Sequence, residues 1–320
     1  MKFVATLLAT SAAALSSSSK YMQYILEHSK SYITLEEFNA RKALFDVADE
    51  LVESHNQTNA SFRLGHNKFS DMTEDEKANT RGLIPKNQME RFAEHTILDE
   101  SRTPSSVDWR GTAVNPIRDQ GQCGSCWAFS SVCAMEGAHY IATGTLAQFS
   151  EQQLVDCAKY QYGNFGCNGG LQERAFSYYE THSAISRDAY PYTAQNGTCQ
   201  YDSLSHAGVE VSTYVNTTPQ SSSQTKAGLA QQPLSVSIEA DKLVFQLYTS
   251  GVFDSTGCGT QLDHAVALVG YGSDAGQNYF ILRNSWGTTW GESGYMRIAD
   301  TGDGVGICGV LSDPLYPNTN

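Results

Sequence analysis

No cysteine precedes Cys123 in this chain of 320 residues, and all eight lie between Cys123 and Cys308. The length allows one or two domains with a sizeable core. The asymmetry divides it into a cysteine-free N-terminal unit and a disulfide-braced domain. Whether cysteines pair depends on the compartment. The first residues read as an export signal over 1–19: Lys2 gives a basic start, Phe3 to Leu15 a short apolar run, and Ala12, Ala13 and Ala14 small residues for cleavage. A spanning helix needs about 20 apolar residues, so this run is too short to anchor the chain in a membrane. No other segment approaches that length. The expectation is a soluble protein of the secretory pathway, bound for the lysosome or the extracellular space. There, eight cysteines permit on the order of a hundred pairings, and sequence alone does not choose among them. Asn-x-Ser/Thr sequons at Asn56, Asn59, Asn196 and Asn216 fit the same route as candidate glycan sites.

The formal net charge is −13, and Lys and Arg are scattered. No basic stripe exists to track a phosphate backbone, which argues against nucleic acid as a partner. Before the cysteines begin, Phe38, Leu44, Phe45, Ala48 and Val52 recur with helical spacing and predict a helix over 35–56. Ser101 to Ser106, with Pro104, reads as an exposed, cleavable linker. A second helix is expected to open at Cys126, carry Trp127, Phe129, Val132 and Met135, and stop before Gly144. Ser150 with Gln153 resembles a capping box. Past Gly208 the texture becomes strand-like, in Leu234–Ile238, Ala265–Tyr271, Tyr279–Arg283 and Tyr295–Ile298. The cysteine-bearing part is thus helix-rich first and β-rich second.

The sharpest chemical signal is the run from Gln120 to Trp127, QGQCGSCW. A cysteine hydrolase needs a thiolate, and a free thiol near pKa 8.5 is mostly protonated at neutral pH. A helix N-terminus favours negative charge, and a neighbouring imidazolium favours it further. The glycine beside Cys126 lets a substrate backbone come close. Read alone, Cys126 is as readily a disulfide cysteine, and Cys123 with Cys126 could be a redox pair or half a zinc site. No second CxxC and no Cys/His cluster completes a zinc shell, so no metal is expected.

QGQCGSCWAF resembles the papain and cathepsin L family, whose signature includes C-G-[SA]-C-[WY]. The likeness continues in family order through Gly166-Cys-Asn-Gly-Gly170, Tyr190-Pro-Tyr192, Asp263-His264-Ala265, Asn284-Ser-Trp286-Gly287 and Trp290-Gly-Glu-Ser-Gly-Tyr295. It covers roughly residues 35 to 316. The resemblance implies a two-lobed α+β fold at 103–320, with a helical left lobe, a β-barrel-like right lobe and the site in the cleft between them. It implies Cys126 as nucleophile, His264 as acid–base partner, Asn284 orienting the imidazole under the shield of Trp286, and Gln120 with the Cys126 N–H as oxyanion donors. It pairs Cys123 with Cys167, Cys157 with Cys199, and Cys258 with Cys308. Cys133 is left over, and a small buried apolar role suits it best. The implied reaction is peptide-bond hydrolysis through a thioester, without cofactor. Partners would be peptide and protein substrates, cystatin-type inhibitors and the chain's own propeptide, acting on a monomer.

The same resemblance implies an α-helical inhibitory propeptide at 20–102. Glu37, Arg41, Phe45 and Asn56 fit the family's propeptide helix, while Ala48 and Val52 depart from it; Gly65-His-Asn67-Lys-Phe69-Ser-Asp71 is intact. Asp71, if paired in the folded propeptide, would make inhibition sensitive to acid near pH 4–5. Gly124, Asp263 and Trp286 are expected against the bound peptide. Gly170 should pair with the peptide backbone, while Leu171, Ser237, Leu262, Ala265 and Asp313 should surround the substrate side chain two positions before the cut. An apolar wall there suits Leu, Val or Phe, and a carboxylate at its end suits a long cation. Pro314 offers the opposite outcome, turning Asp313 to solvent. A catalytically inactive secreted binding protein and a structural glycoprotein are rival readings. The presence of Cys126, His264, Asn284 and Gln120 together weighs against both. No long His-bearing insertion follows Cys167, which favours an endopeptidase over an exopeptidase.

Overall fold

The computed structural model describes residues 16–87 and 94–320. The expected export signal therefore lies outside the described residues except at its end, where helix α1 (Ser17–Glu27) already begins, capped by Ser16. None of the described helices is long and apolar enough to cross a membrane.

The helix expected over 35–56 is α2 (Leu35–Asn56). Thr34 starts it, its side chain accepting from the Glu37 N–H at 3.1 Å. The α2 face carrying Phe45 packs on Tyr21 and Tyr24 of α1, with Ile25, Tyr32 and Phe38 around the edge. Fully burying side chains of this size contributes about 1.5–3 kcal/mol each, enough to hold two helices that would be marginal alone. Strand β1 (Phe62–Leu64) and the short helix α3 (Glu74–Ala78) follow. The N-terminal unit is thus not wholly helical. Asn56, at the end of α2, accepts from the Leu64 N–H and donates to the Leu64 carbonyl, holding β1 in place.

Arg41 ties the unit together. It donates to the Asp71 carbonyl at 3.1 Å and forms a two-pronged pair with Glu76, which closes a capping box with Thr73 at the start of α3. Asp71 is buried and paired with Lys30 at 2.7 Å, and it also accepts from the hydroxyls of Tyr24 and Tyr32.

The rest forms two cores. In the helical one, α4 (Cys126–Thr143) packs against α5 (Glu151–Cys157) and α6 (Gln172–Tyr179) through Trp127, Val132, Met135, Leu154 and Phe176. Gly144, at φ +74°, ends α4 as its sequence position foretold. Ser150 caps α5 from the Gln153 N–H at 3.0 Å. The reciprocal half of the expected capping box does not form. Gln153 instead donates to Ser183 O and Tyr178 Oη and accepts from the Ile185 N–H, because buried backbone groups of the lobe need those partners more.

The second core is a sheet. Its strands are β2 (Val107–Asp108), β3 (Val211–Asn216), β4 (Leu234–Ile238), β5 (Tyr248–Phe253), β6 (His264–Asp274), β7 (Gln277–Arg283), β8 (Tyr295–Ala299) and β9 (Leu315–Thr319). They run in the order β1-β5-β8-β7-β6-β4-β9-β3, with β2 added on β6. All pairings are antiparallel except β5 with β8. Every residue of β4 is buried: Leu234, Val236 and Ile238 enter the core, and Ser235 and Ser237 between them are hydrogen-bonded. The N-terminal unit lends β1 to this sheet, Phe62 facing Gly251. The disulfides are Cys123–Cys167, Cys157–Cys199 and Cys258–Cys308; Cys126 and Cys133 are free and buried. Cys133 packs with Val114, Val269 and Ile281 as a small apolar residue between α4 and the sheet.

The Arg41 guanidinium beside Glu76 holds its carboxyl down at about 2. A depressed carboxylate stabilises the fold fully above its unfolded value of about 4.3, and that contribution is lost as pH falls toward 2. Glu76→Gln should therefore lower the unfolding midpoint of the N-terminal unit at pH 7. It should also flatten the wild-type loss of stability between about pH 4.5 and 2, which denaturant titration of the precursor across that range will measure.

Candidate active site

Cys126 is the first residue of α4, and Ser125 before it makes no side-chain cap bond. The Ser125 hydroxyl meets Tyr192 Oη at 2.6 Å instead. The sulfur of Cys126 accepts from the backbone N–H groups of Ala265, Gly82 and Trp127. The Ala265 contact brings the start of β6, and His264 with it, to the head of α4. His264 Nε2 donates to Asn284 Oδ1 at 2.9 Å, and its ring stacks on Trp286 with centroids 4.7 Å apart. With Nε2 taken, Nδ1 is the nitrogen left over, and it has no hydrogen-bond partner among the described residues. Gln120 is clamped: its Oε1 accepts from Ser285 Oγ at 2.6 Å, and one Nε2 hydrogen goes to Cys123 O at 2.9 Å. The amide keeps a second Nε2 hydrogen to donate.

The N-terminal unit runs directly over this group. Lys68 pairs with Asp119, Asn67 donates to Gln246 O, and Phe69 lies against Trp286 with centroids 4.6 Å apart. Thr80 O accepts from Trp286 Nε1, and Arg81 pairs with Asp263 at 2.9 Å. Gly82 then passes Gly124 so closely that a Cβ on Gly82 would stand 2.0 Å from the Gly124 carbonyl oxygen. Gly82 O accepts from the Gly170 N–H and Gly170 O from the Ile84 N–H, a parallel pairing centred on Leu83. Leu83 N–H also donates to Asp263 O.

Burial decides the charge state beneath this cover. Cys126 and His264 are both fully buried. Desolvation pushes the Cys126 thiol up to about 12, against the pull of its N–H donors. Desolvation also lowers His264 to about 3, although the Asn284 bond opposes it. Both groups are therefore neutral at pH 7. Burial likewise raises Asp263 to about 6 despite the Ala240 N–H and Arg81 beside it. Its charge is thus disfavoured where it lies, and the Arg81 pairing only partly offsets that.

The residues expected around the side-chain slot are partly assembled. Leu171 and Ala265 are buried, and Leu262 and Asp313 line a cavity of about 620 Å³. Asp313 does not face solvent: it accepts from the N–H and hydroxyl of Ser237 at 3.1 and 3.0 Å. Its other partner, Lys86 of the N-terminal unit, sits 2.9 Å away and pairs with Glu173 as well. Burial works against the charge on Lys86, but Asp313 and Glu173 outweigh it and hold the ammonium above its ordinary range. Sequence reading passed over Glu173 and Lys86. Glu173 looks like an ordinary acid in a helix's first turn, and Lys86 like a linker cation; a run Gly82-Leu-Ile-Pro-Lys86 crossing the cleft was the available signal. Asn196 and Asn216 carry local bonds, to the Cys167 N–H and weakly to Glu94 O, while Asn59 is exposed.

Fold and site together present a buried Cys126 and a His264–Asn284 pair in a cleft covered by the chain's own N-terminal segment. Residues 103–318 match the papain family cysteine protease model, residues 21–76 match the cathepsin propeptide inhibitor domain, and the chain belongs to the papain family. It is 42% identical over 311 residues to the cysteine proteinase RD21A of Arabidopsis thaliana, covering 94% of this chain and 66% of that protein. It is 40% identical over 301 residues to chymopapain of Carica papaya, covering 92% and 84% respectively. The chain thus spans just under two thirds of the first relative's length. Among solved structures, the recombinant stem bromelain precursor superimposes with a TM-score of 0.84 at 35% identity, covering 94% of this chain and 98% of that one.

A thiol at about 12 has negligible thiolate at neutral pH. Iodoacetamide should alkylate Cys126 of the intact precursor slowly, with a rate rising about tenfold per pH unit from 7 to 10. After removal of residues 20–102 the rate should be faster and nearly independent of pH over that range. Mass spectrometry of the Cys126 peptide provides the readout.

Proposed function

We propose that the chain is the zymogen of a cysteine endopeptidase in which Cys126, His264, Asn284 and Gln120 carry the reaction. The observation that carries this reading is the neutral Cys126/His264 pair, with the imidazole oriented by Asn284, sealed beneath Gly82. Once the cover leaves, water and the imidazole reach the thiol, and the proton moves from Sγ to Nδ1. The thiolate attacks the scissile carbonyl, whose oxygen takes the free Gln120 Nε2 hydrogen and the Cys126 N–H. Collapse of the tetrahedral intermediate breaks the C–N bond as His264 gives its proton to the leaving amine. Water then attacks the thioester, His264 takes its proton, and Cys126 departs as thiolate. Asn284 keeps Nε2 occupied throughout, so the proton always travels on Nδ1.

Release by acid fits the propeptide's carboxylates, chiefly Glu76, whose contribution is lost below about pH 4.5. Gly170 leads through Leu171 straight into α6 with no inserted segment, which favours an endopeptidase. We place the enzyme on the secretory route, lysosomal or extracellular, as a monomer open to cystatin-type inhibitors.

Cys126→Ala should give a folded precursor without peptidase activity after acid treatment, a loss on the order of 10⁴-fold or more, whereas Cys133→Ala should remain active. A dead Cys133 variant beside an active Cys126 variant overturns the assignment of the nucleophile.

Asp313, held by Ser237 at the end of the slot, should admit a basic residue two positions before the cut. Asp313→Ala should lose kcat/KM on an Arg-Arg fluorogenic peptide by about tenfold and on a Phe-Arg peptide by under twofold. Equal losses on both peptides remove Asp313 from substrate selection.

A further inference from the structure

Lys86 is a ligand as well as a linker residue. Its ammonium lies between two carboxylates that come from different walls of the cleft: Glu173 in the first turn of α6, and Asp313 just before β9. All three side chains are largely withdrawn from solvent, at 17%, 9% and 13% exposure for Lys86, Glu173 and Asp313. Asp313 spends its remaining lone pairs on Ser237, whose hydroxyl also accepts from Gln172 Nε2 at 3.2 Å. Glu173 is different. Its Oε1 meets Lys86, while its Oε2 is buried without a hydrogen-bond partner among the described residues. A buried carboxylate oxygen left unpaired is costly, and an ammonium on one side does not satisfy it. The cavity beside Lys86, lined also by Leu262, Gln220 and Gln261, leaves space for a longer side chain.

We propose that Glu173 is a specificity-determining residue which, with Asp313, forms a two-carboxylate subsite selecting arginine above lysine, and both above apolar residues, and that Lys86 fills this subsite in the precursor. The proposal rests on the peptidase reading given above and adds to it the second acid and the occupant. The chemistry separates the two cations. A lysine ammonium is a compact point charge with three donors, whereas a guanidinium is a planar fork with five. The fork can meet Oε1 and Oε2 of Glu173 together while another N–H reaches Asp313, and its stem can lie along Leu262. Lys86 leaves Oε2 unmatched, so it occupies the subsite without fitting it best. A plug that must later depart is served by such a partial match.

The test uses wild-type, Glu173→Gln and Asp313→Asn enzymes, each expressed as the full precursor and acid-processed. Fluorogenic peptides that keep arginine before the cut carry arginine, lysine or leucine one position earlier. The wild type should rank Arg, then Lys, then Leu by kcat/KM. Glu173→Gln should lose about tenfold on Arg-Arg and bring Arg and Lys level, while its Leu-Arg rate stays within about twofold of wild type, which also shows that the variant is folded. In the precursor, Lys86→Met should hasten processing, and Lys86→Arg should slow it. A Glu173→Gln enzyme with an unchanged Arg-to-Leu ratio overturns the subsite, even if Asp313→Asn changes that ratio. A wild type active on Leu-Arg without preference for Arg also overturns it, leaving the peptidase reading intact. Inactivity of the wild type on all three peptides instead brings down the peptidase reading.

Discussion

The arrangement depends on a seam one helix wide. Helix α4 is buried from Cys126 to Ala138, so it must satisfy its few polar groups inside the protein. Ser130 does this against the sheet, donating to Val266 O at 2.6 Å and meeting Ser235 Oγ at 2.5 Å. Glu136 does it against the other lobe, accepting from Arg118 at 2.8 Å and from the Phe149 N–H. These bonds fix the helix in depth and rotation, and the thiol at its head inherits that position. The sheet delivers His264 to the same point because β6 begins there and is gripped on both sides, by β4 and β7. Removing one partner from a buried pair such as Arg118–Glu136 costs about 3–5 kcal/mol.

Much of this was legible in the sequence for reasons that can be named. The span of α2 showed because Phe38, Leu44, Phe45, Ala48 and Val52 recur with helical spacing. Helix α4 ended where Gly144 stands because a left-handed residue there is cheap only for glycine. β4 showed because Leu234, Val236 and Ile238 recur at alternate positions, the period of a strand. His264 and Asn284, found by motif, are hydrogen-bonded in the fold although they stand on different segments of the chain. What was not legible is what depends on distance across the cleft. Gln153 was misjudged because its partners, Ser183 and Ile185, lie in another segment. Strand β1 was missed because three residues carry too little periodicity, and its partner β5 lies far along the chain. Glu173 and Lys86 were invisible for the same reason: each is unremarkable beside its sequence neighbours, and only the fold makes them a pair.

The cover acts through dielectric as well as through blockage. Gly82 brings no side chain to the thiol, only an N–H, which taken alone would favour the thiolate. The exclusion of water outweighs it, because solvation lost by a charge in a dry site exceeds what one or two dipoles return. The same segment is held by backbone pairing to Gly170 and by charges at Arg81 and Lys86, contacts that are independent of the thiol. Inhibition and attachment are therefore separate properties of one stretch of chain. Changes in the attachment alter how long the cover stays without altering how well it silences the site.

Strand β1 has a consequence for the molecule that remains once its N-terminal unit has gone. Phe62–Leu64 occupies the outer hydrogen-bonding groups of β5, and its departure turns β5 into an open sheet margin. That margin is short, and Gly251, at φ +91°, breaks its regularity, so it offers few registers to an incoming strand. The N-terminal unit thus covers a stretch of backbone that the remaining body would present to solvent.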